Sequence, residues 1–165
     1  MFYSFLASML SFDSSLQNVG AFANLRSLVL DNNDIKDDCE FPDLPSLGTL
    51  WMNNNKIQNI KNLLDSLRHA CPNLKYLSLL KNPCCPHRLI GMDDEDYSRY
   101  RLYVLWRLPN LTFLDSGRVT PAERQEASRR GEFCLPAEPT DVFILLFYCI
   151  YISHSQIVTS LLLFL

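Results

Sequence analysis

Apolar residues recur along the first half of the chain in one phrase, Leu-x-x-Leu-x-Leu/Met-x-x-Asn, repeated three times. The copies place Leu25, Leu28, Leu30 and Asn33, then Leu47, Leu50, Met52 and Asn55, then Leu74, Leu77, Leu79 and Asn82 in the same phase. Successive copies begin 22 and 27 residues apart. Within each copy the Leu-x-Leu alternation predicts a short strand. Leu28 and Leu30, Leu50 and Met52, and Leu77 and Leu79 then face one side. A unit this small cannot bury its apolar face alone, and stacked neighbours bury a shared one. Each buried leucine contributes roughly 1.5–3 kcal/mol, so the units form a core only together.

That period is the leucine-rich-repeat period. The expected fold is an α/β leucine-rich-repeat solenoid. A short parallel sheet lines its concave side, helix, 3₁₀ or loop segments its convex side, and a helical cap closes its C-terminal end. Asn33, Asn55 and Asn82 fall in the turn after each strand. A side chain with both donor and acceptor at that phase can bond the main chain of adjacent coils as a ladder. Past the second asparagine, Ile57, Ile60, Leu63, Leu64 and Leu67 mark a convex helix or 3₁₀ turn. The flanking units are weaker. Leu16, Val19 and Phe22 keep only the convex half of a repeat, with Ser11 where an asparagine belongs. Leu111-Thr-Phe-Leu114-Asp115 keeps two leucines. Terminal repeats depart from consensus because they cap the core.

Between the third and the degenerate fourth unit runs Asp93 to Leu108, stopped by Pro109. Acids lead and arginines trail, while Tyr97, Tyr100, Val104, Leu105 and Leu108 share a face, which predicts an amphipathic helix. The acidic run lacks the alternate-position ligands and hinge glycine of a calcium loop.

The segment Tyr100-Arg-Leu-Tyr-Val-Leu-Trp-Arg-Leu-Pro-Asn-Leu-Thr-Phe-Leu-Asp115, followed by Val119-Thr-Pro-Ala-Glu-Arg-Gln-Glu-Ala127, resembles the C-terminal cap of intracellular leucine-rich-repeat proteins. The spliceosomal A-prime subunits, the acidic nuclear phosphoproteins and the phosphatase-regulatory group carry such caps. Phe22-x-x-Leu25, Leu28-x-Leu-Asp-Asn-Asn33, Asn62-Leu-Leu-Asp65, Tyr76-Leu-Ser-Leu-Leu80, Asp96-Tyr97 and the cap together resemble the leucine-rich melanocyte differentiation-associated family more than they do those groups. The likeness covers about residues 16–133. It implies a non-enzymatic intracellular adaptor linked to melanocyte differentiation. Met1–Leu10 does not match that family's start, and beyond Phe133 an oily stretch stands where the family has a polar tail.

Three regions follow: an atypical N-terminal segment, 1–15; the repeat domain, 16–133, with its cap at about 93–127; and a linker with a hydrophobic tail, 134–165. Val142 to Leu165 contains no Asp, Glu, Lys or Arg. At 1.5 Å per residue it could cross a ~30 Å hydrocarbon core, although Ser153-His-Ser-Gln156 interrupts it midway. A membrane anchor, packing against the solenoid, and an alternative terminus not shaped for this fold all stay open. Pro136 and Pro139 mark the junction. Met1 to Phe12, with Ala21-Phe-Ala23, imitates a secretory signal without a basic leading region. Cleavage there would delete the convex contacts of Leu16, Val19 and Phe22, so a hydrophobic N-terminal cap or an alternative start is preferred.

Composition narrows the function. A net charge of −3 over 165 residues argues against a direct nucleic-acid binder. Asp31, Asp34, Asp37, Asp38, Glu40 and Asp43 gather on one rim, as a solvated edge or a patch for a basic partner. The six cysteines do not bracket the repeats, which fits reduced thiols in the cytoplasm, with nuclear or membrane-tethered settings as alternatives. Pro83-Cys-Cys-Pro-His87 has no matching pair for a metal, and Cys84 holds the phase of Ile35 and Ile57, which predicts burial. No catalytic constellation, phosphate-cradling loop or cofactor motif is present, so neither enzymatic activity nor a cofactor is expected.

The expected functional surface is the concave face, for a protein partner. Its outward strand positions form one row, Ser27, Thr49, Tyr76 and Phe113, and a second, Val29, Trp51, Ser78 and Asp115. Asp31, Asn53 and Leu80 lie beyond. Trp51 beside Tyr76 and Leu80 has the character of an anchor.

Overall fold

A computed structural model of the chain describes residues 3–6, 15–86 and 94–136. Strand β1 (Tyr3–Leu6) and helix α1 (Ser15–Val19) lead into β2 (Leu25–Val29) and β3 (Thr49–Trp51). Helix α2 (Ile60–Ala70), β4 (Tyr76–Ser78), helix α3 (Asp94–Arg107), β5 (Phe113–Leu114) and β6 (Gly117–Arg118) follow. Helix α4 (Pro121–Arg130) and a 3₁₀ turn (Gly131–Cys134) close the array. The strands lie in one sheet in chain order, with β1 to β5 parallel and β6 antiparallel to β5.

The register is the one the repeat phase predicts. Leu28 pairs with Leu50, Leu50 with Leu77 and Leu77 with Leu114, and all four are fully buried. Leu30, Met52 and Leu79 stand behind them at 0 % exposure. One continuous core therefore runs through every coil.

On the convex side the stripe after Asn55 becomes α2. Asn59 caps its start by accepting from the Asn62 amide at 3.3 Å, and Arg68 and His69 oppose the dipole in its last turn. Ile60, Leu63, Leu64 and Leu67 are buried, as is Ile57 before them. The preceding coil has no helix; Phe41 and Leu44 fill its convex side from a loop. Leu16 and Val19 are buried as expected, but Phe22 is 47 % exposed. Its carbonyl accepts the Leu25 amide in the turn entering β2, so the side chain stays outside the helix face it would have shared. Within the N-terminal segment the backbone of Tyr3–Leu6 pairs in parallel with β2, with a register shift between Tyr3 and Ser4, and extends the sheet by one strand.

Helix α3 carries Asp94, Glu95 and Asp96 in its first turn and Arg107 in its last. It is not the one-faced helix its periodicity suggests. Tyr100, Arg101, Leu102, Tyr103, Val104 and Leu105 are all buried. The reason is double coverage. One side packs on the core, and α4 with the 3₁₀ turn packs on the other. Thr120 starts α4 with a capping box, its hydroxyl accepting from the Glu123 amide while the Glu123 carboxylate accepts from the Thr120 amide. Gly131 lets the 3₁₀ turn press on α3, since a Cβ there would lie 2.5 Å from the Trp106 Cβ and 2.7 Å from the Leu102 carbonyl oxygen.

No helix among the described residues is long and apolar enough to cross a membrane. The tail 142–165 and most of the signal-like segment lie outside the described residues.

Candidate protein-docking face

Two rows of side chains stand on the open face of the sheet. Strand pairing puts Ser27 beside Thr49, Thr49 beside Tyr76 and Tyr76 beside Phe113. In the next row Val29 neighbours Trp51 and Trp51 neighbours Ser78. Trp51 is 38 % exposed, Phe113 40 % and Leu80 37 %, while Tyr76, Thr49 and Val29 are half-buried. The Trp51 ring meets Tyr76 edge-on, with centroids 5.7 Å apart and planes 71° apart. Tyr76 meets Phe113 at 6.1 Å with a 31° tilt. Three aromatic rings thus form a diagonal strip over three adjacent strands, each braced by its neighbour.

Four residues assigned to the open face are not free there. Ser78 is buried, and its hydroxyl donates to Asn53 Oδ1 at 2.7 Å. The same Asn53 oxygen accepts the Leu80 amide at 2.9 Å, and the Asn53 amide donates to Asp31 Oδ1 at 2.7 Å. Ser78, Asn53 and Asp31 are therefore brackets between coils. Asp115, expected to face outward beside Ser78, is 1 % exposed. It takes a left-handed conformation (φ 56°) as the chain turns into β6. Its carboxylate accepts from the Leu79 amide at 2.8 Å and the Tyr97 hydroxyl at 3.0 Å. Burial drives the Asp115 carboxyl above the ordinary range, and the Leu79 and Tyr97 hydrogen bonds and the nearby Arg101 offset part of that rise. Arg101 donates to Glu123 at 2.7 Å and to the Leu114 carbonyl at 2.9 Å, tying α3 to α4 and to the last coil.

The asparagines behind the strip hold the coils in register. Asn55 Nδ2 donates to the Leu30 and Met52 carbonyls, and its oxygen accepts the Ile35 amide. Asn82 repeats this with Met52, Leu79 and Ile57. Asn33 donates to Leu30 and Asp31 within its own turn. Each is preceded by a residue at positive φ: Asn32, Asn54 and Lys81.

Half of the acidic rim is engaged locally, while Asp38, Glu40 and Asp43 are exposed. Asp37 Oδ1 accepts the Gln58 and Asn59 amides, Asp34 pairs with Lys56 at 2.6 Å, and Asp31 is bound as above. Sequence reasoning missed three cations around the strip. Arg118 pairs with Phe113 across the antiparallel β5–β6 contact and so shares its face. Lys75 directly precedes β4, and Lys81 follows Leu80 at the other end of that strand. All three are exposed, and none has an ion-pair partner among the described residues. The doubling of strand positions in the hairpin Leu114-Asp-Ser-Gly-Arg118 was the available sign for Arg118.

Cys39, Cys71, Cys84, Cys85 and Cys134 are free thiols. Burial, with the negative charges of Asp38 and Glu40, pushes Cys39 up to about 12; burial and Asp43 do the same to Cys71. Such thiols are protonated and poor nucleophiles or ligands. Cys84 is buried, as its phase predicts. No metal-holding group of His, Cys, Asp and Glu occurs among the described residues, where His87 is not included.

The stacked parallel coils, the asparagine turns and the helical cap define a leucine-rich-repeat protein, and a family model for leucine-rich repeats in two copies matches residues 23–65. Over 127 residues the chain is 50 % identical to the human leucine-rich melanocyte differentiation-associated protein, covering 76 % of this chain and 64 % of that one. It is 35 % identical over 129 residues to the U2 small nuclear ribonucleoprotein A' of Emericella nidulans, covering 77 % of this chain and 50 % of the relative. The human U2 small nuclear ribonucleoprotein A' is 33 % identical over 124 residues, covering 71 % and 43 %. A crystal structure of the Drosophila melanogaster SNF/U2A' complex aligns with a TM-score of 0.42 and 24 % identity, covering 76 % of this chain and 80 % of that one. The chain spans less than two thirds of the length of the curated relatives it matches.

Proposed function

We propose that this chain is a non-enzymatic protein-interaction adaptor that captures a protein partner on its concave face. One observation carries the reading: Trp51, Tyr76, Phe113 and Leu80 form a contiguous apolar strip open to solvent on an otherwise satisfied sheet. Partly exposed aromatics held rigid by their neighbours lose little entropy on docking, and such residues dominate binding energies. Thr49 and Val29 border the strip and complete its contact area. The 50 % identity to the human leucine-rich melanocyte differentiation-associated protein supports a role in melanocyte differentiation, and the location proposed for that role is the cytoplasm.

Replacing Trp51 with alanine is expected to weaken partner capture about tenfold or more. The thermal midpoint is expected to stay nearly unchanged, because the side chain stands on the open face of the sheet and is 38 % exposed. A midpoint loss of the size seen for a core leucine would make Trp51 structural and remove the reading.

A second reading, a spliceosomal-type binding module in the nucleus, is favoured by the two U2 small nuclear ribonucleoprotein A' relatives. It predicts nuclear localisation and co-purification with a ribonucleoprotein, against cytoplasmic localisation for the first.

A further inference from the structure

We infer that the occupant of this face is an acidic protein segment, with an apolar anchor on one side and carboxylates flanking it. The inference rests on the docking reading above and adds the charge of the partner. Lys75 and Lys81 bracket β4 at its two ends, and Arg118 stands across the sheet next to Phe113. Tyr76 adjoins Lys75 and Leu80 adjoins Lys81 in the chain, and Phe113 faces Arg118 across the β5–β6 pairing. The chain as a whole is negative, yet these charges have no partner among the described residues, while Asp31 and Asp37 accept from backbone amides and Asp34 pairs with Lys56. Lys75, Lys81 and Arg118 therefore place unpaired charges at the border of the strip that are opposite in sign to the net charge of the molecule.

Desolvating three like charges around an apolar contact is costly unless the incoming surface supplies carboxylates. A basic or neutral segment would leave that cost uncompensated. Aromatics with cations also suit single-stranded nucleic acid, which stacks bases on open ring faces. Here the rings lean on one another at 71° and 31°, leaving no evenly spaced platform. A net charge of −3 further opposes a polyanion. A protein anchor with local carboxylates fits both facts.

The test titrates the full chain with three fluorescently labelled helical peptides. Two share one leucine- and tryptophan-bearing face and differ in flanking glutamates or lysines; the third keeps the glutamates and loses the apolar face. A single-stranded oligoribonucleotide is the fourth probe. The glutamate-flanked amphipathic peptide is expected to bind at least about tenfold more tightly than the lysine-flanked one, with affinity falling as salt rises. Lys75→Glu with Arg118→Glu should reverse the preference, and Trp51→Ala should weaken both peptides. Equal binding of the two amphipathic peptides, both lost in Trp51→Ala, overturns the charge assignment and leaves the docking reading standing. Tight binding of the glutamate peptide without an apolar face, or preference for the oligoribonucleotide, also overturns it. Failure of every peptide removes both. Circular dichroism melts of each variant separate these results from unfolding.

Discussion

Asn82 makes more of the solenoid than its size suggests. It is fully buried and serves two coils at once, donating to the Met52 and Leu79 carbonyls and accepting the Ile57 amide. Asn82→Ala would strand the buried Ile57 amide, at about 1–3 kcal/mol, and remove one of two donors from each of the Met52 and Leu79 carbonyls, which keep Asn55 Nδ2 and the residue-82 amide. Urea unfolding should show a large loss in midpoint with little change in slope. The side chains that hold coils together were legible from recurrence alone, because identical geometry demands the same donor-acceptor pattern every turn. Ser78, Asn53 and Asp115 were not. Alternation assigns a side to a strand residue, but whether that side is open depends on what the next coil places over it. The positive φ at Asn32 and Asn54 was hinted at by the asparagine doublets, yet Lys81 takes the same conformation without the usual residue for it.

At the scale of elements, the cap is where pattern and structure part. The period of α3 reads as one buried face, but the helix is sandwiched, and nothing in its own sequence announces the second cover. The cover depends on Gly131, whose φ of −56° is ordinary. The constraint there is steric, so Gly131→Ala should push the 3₁₀ turn off Trp106 and lower the thermal midpoint, while the repeat strands keep their circular dichroism. The Arg101–Glu123 pair fastens the same junction. Burial alone would raise the Glu123 carboxyl, but the Arg101 hydrogen bond and the Thr120 amide outweigh it and hold it below its ordinary 4.5. A depressed carboxyl stabilises the fold above its unfolded value, and that contribution is lost as pH falls through the folded value. Asp115, held high by burial, acts in the opposite sense as acid is added. The comparison with Glu123→Gln isolates the pair: the variant should melt earlier than the parent at neutral pH, and the gap should close below pH 4.5.

Across the molecule, Leu28, Leu50, Leu77 and Leu114 form one buried row, so no coil is stable by itself. Leu50→Ala, in the central coil, should cost roughly 2–5 kcal/mol and shift the whole unfolding curve. Two separate transitions would mean the coils unfold independently. The global architecture was the most legible property of the sequence, since periodicity over three units constrains strand register and which strand positions face outward. The location of the free charges was the least legible, because it follows from which acids are already engaged. The reversal at β6 carries a consequence for anyone lengthening the array. A two-residue antiparallel edge offers no template for another parallel turn, so inserted repeats must enter between β2 and β4, upstream of the terminating hairpin, where both neighbours can receive them.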